Sequence, residues 1–379
     1  MDKDFDTRKY MLFSTENTLF GANRKFSEEI ASKLKRETID QVNTYLITGK
    51  HRRKDLPFMY FKIFLVLLWV FSSYYCMVFT SGSVYYKLVI SLFVSLAIPC
   101  MLFNVTHDAT HFSISKHNWV NKLFCFSADL LGISSKVWLV LHHRHHRNPN
   151  VLGLDSDLEQ GALLRLTPQQ KWFWFHKYQV FYVWLLFPFN LIRRNLIKDF
   201  SCLKNLLQED KKVITKRDLI NIFAGKAIFS GLVFILPLCY YSIPEVLFFY
   251  FTIFGVSGFI ISVILIVAHV NDKTVFPIVL EKNGYNSDFI FQIETSVDFS
   301  KNNRILSWYV GGLNFQTEHH LFPHVCHLHY PAFSKIVEKN CQKFNVDYQA
   351  NATLYEAVKS FSRWLNILGK PNFNPNYLR

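Results

Sequence analysis

Four long stretches without a charged residue, Ile63–Phe79, Leu88–Thr106, Ala227–Pro244 and Val246–Val270, most constrain what this chain can fold into. A helix needs ~20 apolar residues to cross the hydrocarbon core of a bilayer, and each stretch reaches or nearly reaches that length. The stretches come in pairs. A Thr80-Ser81-Gly82-Ser83 turn and Lys87 separate the first two, and Ser242-Ile243-Pro244-Glu245 marks the turn of the second two. Two transmembrane hairpins are expected. Composition agrees: 18% of residues are charged and 17% aromatic, with 38 Phe, whereas soluble proteins carry roughly 25% charged residues.

Positive charge predicts the orientation. Lys and Arg crowd the segment before the first hairpin (Arg24 to Lys54) and the segment between the hairpins (Arg193 to Arg217), while the two turns hold almost none. Both termini and the middle segment are therefore expected on the cytosolic side of a bacterial inner membrane or an endoplasmic reticulum. The net charge of +14 fits anionic headgroups beside the spans, and no nucleic-acid motif accompanies it. The first fifty residues are polar, so no cleavable signal peptide is visible and the first span serves as the insertion signal. Seven cysteines without a C-x-x-C spacing read as free thiols.

Three histidine clusters stand out, the first two following or adjoining apolar sequence: H-D-A-T-H (His107, His111), H-H-R-H-H (His142, His143, His145, His146) and Q-T-E-H-H (Gln316, His319, His320). Residues three and four apart share a helix face. His107/His111, His142/His145/His146 and Gln316/His319/His320 each obey that rule, and unrelated surface histidines would not repeat it three times. Neutral imidazole is the commonest protein ligand for redox iron, copper and zinc, so the pattern reads as a polynuclear metal site. With four crossings, all three clusters emerge on one face. A fourth histidine, His269, closes the last apolar run.

The remaining sequence adds elements around this frame. Ser27–Leu46 has helical character, with Ile30, Leu34, Ile39, Val42 and Leu46 along one side, and reads as an amphipathic cap. Trp119–Leu141 is interrupted by Lys122, Asp129, Gly132 and Lys136 and is expected to lie in or dip into the interface. Lys171–Ile192 is rich in Trp and Tyr and reads as an interfacial helix, with a span as the alternative. No repeat or flexible linker divides the chain, so a single domain over residues 1–379 is expected: N-terminal segment 1–55, hairpin 63–106, boxes 1 and 2 within 107–226, hairpin 227–270, and box 3 within 271–379. The fold class is an all-α integral membrane protein whose four transmembrane helices carry a cytosolic helical cap holding a histidine-rich di-iron site.

The ligand set narrows the chemistry. One zinc hydrolase needs about three ligands and usually a carboxylate base, and no H-E-x-x-H occurs. Carboxylate di-iron bundles use Glu with Glu-x-x-His pairs, which are missing. A histidine-rich pair of irons remains, suited to activating dioxygen against an unactivated C–H bond of a membrane-dissolved substrate.

The chain resembles the membrane fatty-acid desaturases, and within them the front-end, linoleoyl-CoA (delta-6) desaturase-like branch, without a fused cytochrome b5 domain. The resemblance rests on H-D-A-T-H, on Leu141–Asn150 (L-H-H-R-H-H-R-N-P-N) followed by G-L-D-S-D, on the A-H-V…F-P segment around His269, and on Glu294–Pro331 with its Q-T-E-H-H. It implies two iron ions held by His107, His111, His142, His145, His146, His269, His319 and His320, with Gln316 binding directly or through water. His143, often Asn in relatives, lies about 100° around the helix from His142 and is placed behind the ligands. Asp108 and Glu318 sit beside ligands, either orienting imidazole N–H groups or standing as solvated carboxylates. Asp155 and Asp157 match the family pattern without an assignable role. His324, His327 and His329 are expected to support box 3, and His51, His117 and His176 lack a ligand-spaced partner.

The implied reaction removes two hydrogens from a fatty-acyl chain, with dioxygen as co-substrate, at an acyl group linked to CoA, carrier protein or phospholipid. No H-P-G-G haem signature is present, so the electrons are expected from a separate acidic donor, ferredoxin or cytochrome b5 with its reductase. A hydroxylase or ketolase on the same scaffold is the nearest alternative. A metal-binding membrane transporter or sensor, from another class, would want ionisable residues at mid-span.

Overall fold

The computed structural model describes residues 27–158, 161–210, 213–277 and 288–371. Among the described residues, four helices are long and apolar enough to cross a membrane: α2 (Pro57–Phe79), α3 (Val84–Thr110), α8 (Lys216–Leu238) and α9 (Ile243–His269). Their outer surfaces expose Phe58, Phe61, Phe64, Leu68, Phe248 and Phe251. Such a continuous apolar belt suits lipid rather than water. The two turns are tied together by Lys87, whose Nζ donates to the Met77 carbonyl at 2.8 Å and to the Tyr241 hydroxyl at 2.6 Å.

The third span corrects the sequence reading. It runs from Lys216 to Leu238 rather than from Ala227 to Pro244. Thr215 starts it with a reciprocal cap: its Oγ1 accepts from the Asp218 N–H at 3.2 Å, and Asp218 Oδ2 accepts from the Thr215 N–H at 3.0 Å. Lys226 does not end the helix because its ammonium is fully partnered, by Asp199 Oδ2 (2.9 Å) and the carbonyls of Gly132 (2.6 Å) and Asn195 (3.0 Å). The turn therefore moves to residues 239–242, and Glu245 caps the next helix by accepting from the Ser242 N–H at 2.9 Å.

The segment after box 1 is two helices, α4 (Asn118–Leu130) and α5 (Ser135–Arg147), bent by 106°. Gly132 makes the bend: its φ is +73°, and a Cβ there would lie 2.9 Å from the Phe229 ring. After a short 3₁₀ turn comes α6 (Gln179–Arg193), whose 15 residues fall short of a crossing. It packs along α9, where a Cβ on Gly258 would meet the Pro188 carbonyl oxygen at 2.9 Å. A π-turn leads on to α7 (Asp199–Glu209).

The C-terminal region supplies α10 (Asp288–Glu294), α11 (Arg304–Tyr309), α12 (Gln316–Leu321), α13 (Tyr330–Phe344) and α14 (Leu354–Leu368). A two-residue parallel pair, Asp298–Phe299 with Ala350–Asn351, joins its halves. Helix α1 (Glu28–Thr48) lies over it, burying Ala31 and Leu34 against Ile290, Ile293, Val337 and Cys341. The buried stripe includes Leu34, Val42 and Leu46 as expected, but Ile30 is exposed because the stripe runs through Ala31 and Thr38 instead.

Candidate metal centre

Each box sits where a helix ends against its neighbours. The last turns of α3 widen into a π-turn over Leu102–Thr106. There Asn104 Nδ2 donates to the carbonyls of Cys100 and Tyr309, both at 2.8 Å, and re-aims the helix just before His107. Box 2 occupies the end of α5, His269 is the last residue of α9, and box 3 fills α12, whose residues from Gln316 to His320 are all buried. Gly311, at φ +62°, lets the chain approach the π-turn; a Cβ there would lie 2.5 Å from the Phe103 carbonyl oxygen.

The eight histidines singled out as ligands come together in two adjoining groups. One holds His107, His111, His142, His146 and His319; the other holds His145, His269 and His320. In the first, the Nε2 atoms of His111 and His142 are 2.7 Å apart, those of His146 and His142 3.2 Å, and those of His319 and His146 2.9 Å. In the second, His269 Nε2 lies 3.2 Å from His145 Nε2 and 3.1 Å from His320 Nε2, and Gln316 Nε2 stands 2.8 Å away. The rings of His146 and His320 stack at 4.2 Å across the boundary. Consecutive helical residues point ~100° apart, so the doublets His145-His146 and His319-His320 each give one imidazole to each group.

The outer ring nitrogens explain why the inner ones converge. His145 Nδ1 donates to Asp155 Oδ2 at 2.9 Å, His269 Nδ1 to the Thr295 carbonyl at 3.0 Å, and His320 Nδ1 to Gln292 Oε1 at 2.7 Å. A proton held on Nδ1 leaves the Nε2 lone pair facing inward, the usual arrangement of a metal-bound histidine. Burial, and then the neighbouring imidazoles, hold His319 and His320 well below the ordinary imidazole range, so they are neutral at pH 7. In the five-histidine group several neutral lone pairs lie within hydrogen-bonding distance with few protons to share, which a cation would satisfy. In the other group burial is outweighed by Asp155, which raises His145 to about 9, so a cation there would displace the His145 proton. The buried oxygen of Gln316 also has no hydrogen-bond partner. These residues fit metal ions, and the all-nitrogen and amide donor set suits a redox metal better than magnesium or calcium.

The surrounding residues divide less simply than the spacing suggested. Asp155, whose role the sequence left open, orients His145 and also accepts from the Asn150 N–H at 3.0 Å. Asp157 is exposed, 3.8 Å from His145 Nδ1. Asp108 Oδ1 lies 3.8 Å from His107 Nδ1, and Oδ2 accepts from His327 at 2.7 Å. Glu318 turns away from the imidazoles and accepts from the Tyr348 hydroxyl at 3.1 Å, with Asp298 beside it. His143 Nε2 reaches the Thr110 carbonyl at 3.2 Å, outside both groups, and His324 Nδ1 reaches the His111 carbonyl at 2.9 Å. Gln292, Thr295 and Asn150 were missed: Asn150 Nδ2 donates to the His269 carbonyl at 2.9 Å and the Val275 carbonyl at 3.1 Å. The P-N…G-x-D-x-D spacing for Asn150 and the start of the Glu294–Pro331 stretch for Thr295 were the sequence signals, and Gln292 had none.

Comparison with known proteins supplies the family. The sequence profile of the fatty acid desaturase family matches residues 83–352. The chain is 31% identical over 372 residues to an sn-1 linoleoyl-lipid 6-desaturase of Arthrospira platensis, covering 96% of this chain and 97% of that one. It is 32% identical over 336 residues to an sn-1 linoleoyl-lipid 6-desaturase of Synechocystis, covering 87% and 94%. To an acyl-lipid (8-3)-desaturase of Physcomitrium patens it is 31% identical over 340 residues, covering 88% and 71%. The chain therefore belongs to the fatty acid desaturase family, membrane oxidoreductases that place a double bond in a fatty-acyl chain at the expense of dioxygen and two electrons.

Proposed function

We propose that two iron ions occupy the two histidine groups, and that the enzyme acts on an already unsaturated, lipid-linked acyl chain, placing the new double bond between the existing one and the carboxyl end. The observation that carries the metal assignment is the division of eight imidazoles into two adjoining sets with inward-facing Nε2 atoms. The lipid linkage and the position of the new bond draw support from the relatives, two named linoleoyl-lipid 6-desaturases and one an acyl-lipid (8-3)-desaturase.

Bound iron supplies dioxygen activation strong enough to take hydrogen from an unactivated CH₂. The balance is one –CH₂–CH₂– unit, one O₂, two electrons and two protons giving –CH=CH– and two waters. The protein's part is positional. Asp155, the Thr295 carbonyl and Gln292 fix three imidazoles through their outer nitrogens, and the buried α12 keeps bulk water from the groups. An apolar cavity of ≈ 210 Å³ between the spans, lined by Val70, Tyr74, Met101, Leu131, Leu232 and Phe254, suits the methyl-end tail. Its edge at Met101 is six residues from His107, about 9 Å along α3 at 1.5 Å per residue. The Lys- and Arg-rich segments expected on the cytosolic side would guide an acidic electron carrier to that face.

Expression in a host that makes no such product, fed linoleate, tests the reading. The expected product is a triene whose new bond lies on the carboxyl side, recovered in membrane lipid before it appears in the acyl-CoA pool. A bond toward the methyl end contradicts the regiochemistry, and a hydroxylated product contradicts desaturation itself. Reconstituted turnover should require an added electron carrier and weaken at high ionic strength.

A further inference from the structure

Among the described residues, Lys62 and Lys87 are buried in the spans and Lys226 is partly buried, and the three are used differently. Lys87 and Lys226 spend their ammonium groups chiefly on main-chain carbonyls, which makes them staples between helices. Lys62, in the second turn of α2, is 1% exposed and does something else. Its Nζ lies 2.9 Å from His327 Nε2, with the Trp308 ring 5.4 Å away. A cation buried in a membrane helix is costly and calls for a functional partner, and here the partner is an imidazole that leads to the metal centre.

The chemistry of the contacts fixes the direction of the chain. An ammonium only donates, so His327 Nε2 accepts, and the proton of neutral His327 then sits on Nδ1. That Nδ1 donates to Asp108 Oδ2 at 2.7 Å. The other oxygen of Asp108 is thereby left to face His107 Nδ1, 3.8 Å away, a buried nitrogen with no hydrogen-bond partner. A proton on His107 Nδ1, drawn to that carboxylate, leaves His107 Nε2 free to point into the five-histidine group.

We propose that Lys62 is a positioning residue: through His327 and Asp108 it sets the orientation of His107 at the metal. This rests on the reading of the two histidine groups as iron sites. It also accounts for His327, which the sequence had assigned to box 3 but which the fold gives to box 1.

The test compares full-length purified wild type, Lys62→Met, Lys62→Arg, His327→Gln and Lys87→Met after loading with ⁵⁷Fe(II), by iron count, Mössbauer spectrum, rate of iron loss to a chelator, and thermal unfolding. Wild type that takes up no iron overturns the reading of the site itself and this inference with it, before any variant is compared. With iron bound, Lys62→Met should keep the iron count, alter one of the two iron signals, and lose that iron roughly 10-fold faster, the lower end of outer-ligand effects. Lys62→Arg should restore part of the wild-type signal, and His327→Gln, which leaves α2 untouched, should shift the same signal. A Lys62→Met/His327→Gln double variant should be no worse than Lys62→Met, because both act along one path. Lys87→Met should lower thermal stability and leave both iron signals alone. Wild-type iron signals and chelator kinetics in both Lys62→Met and His327→Gln overturn the inference, as does full additivity in the double variant.

Discussion

The two histidine groups solve one problem in opposite ways. The first is rich in imidazole, with five side chains, yet its outer nitrogens are loosely held: His319 Nδ1 is 3.3 Å from the Tyr330 hydroxyl, and His107 and His146 have no Nδ1 hydrogen-bond partner. The second has three imidazoles and Gln316, and each imidazole is pinned through Nδ1 at 2.7–3.0 Å. Where ligands are plentiful the scaffold leaves them some freedom. Where they are few it orients each one. On the proposed iron assignment the unequal sets would make the two irons unequal, since an amide is a weaker donor than imidazole.

The comparison is broken most forcefully by removing one ligand from each side. His269→Ala should cost the second group its iron and lower activity by more than the ~100-fold upper range of outer-shell changes, read as iron per chain and product formed. His107→Ala leaves four imidazoles in the first group, so iron uptake should stay close to wild type with a smaller loss of activity. Equal losses of iron in the two variants would erase the distinction. Next in size is Asp155→Asn, which keeps the shape but weakens the anchor of His145. Iron affinity at the second group should fall ~10–100-fold with the fold intact by circular dichroism. The corresponding change at Asp157, exposed and more distant, should leave affinity unchanged. Gln316→His sharpens the comparison from the other side: an added imidazole should tighten iron in the second group and make the two Mössbauer signals more alike.

The smallest effect separates scaffold from ligand support. Glu318 is buried beside Asp298, and burial, then the Asp298 charge, holds its carboxyl well above the usual range. A carboxyl raised on folding keeps a proton that the unfolded chain releases near pH ~4.3, so its contribution to stability is full below that pH and is lost as pH rises. Glu318→Gln removes this dependence. Its thermal stability relative to wild type should improve from pH 5 to pH 8 while iron content stays the same, measured by thermal unfolding in detergent across that range. A loss of iron would return Glu318 to the imidazole-orienting role that its neighbours His319 and His320 first suggested.

Much of this was legible in the residues. Helix spacing alone marked the three boxes, because i, i+3 and i, i+4 positions share a face whatever the tertiary fold does. Paired uncharged runs marked the hairpins for a similar reason: the bilayer demands the same length of every span. The division of the boxes was not legible, since it depends on how α3, α5, α9 and α12, up to two hundred residues apart in sequence, meet at one point. Gln292 carries no motif, and Thr295, although inside the Glu294–Pro331 stretch, acts through its carbonyl, which no side-chain pattern marks; both roles could only be found in space. The third span was misplaced because Lys226 looked like a boundary, whereas Asp199, brought alongside by α7, allows it inside the helix. Glu318 was misread because adjacency in sequence is not adjacency on a helix: it lies 100° from His319 and about 200° from His320.

Most direct for the central claim is iron titration of the purified apoprotein followed by Mössbauer spectroscopy. Wild type should bind two irons per chain and give two distinct signals, and His145→Ala/His320→Ala, which strips the second group, should bind one and retain only the signal of the five-histidine group. One metal per chain in the wild type, or two irons still held by the double variant, would contradict it.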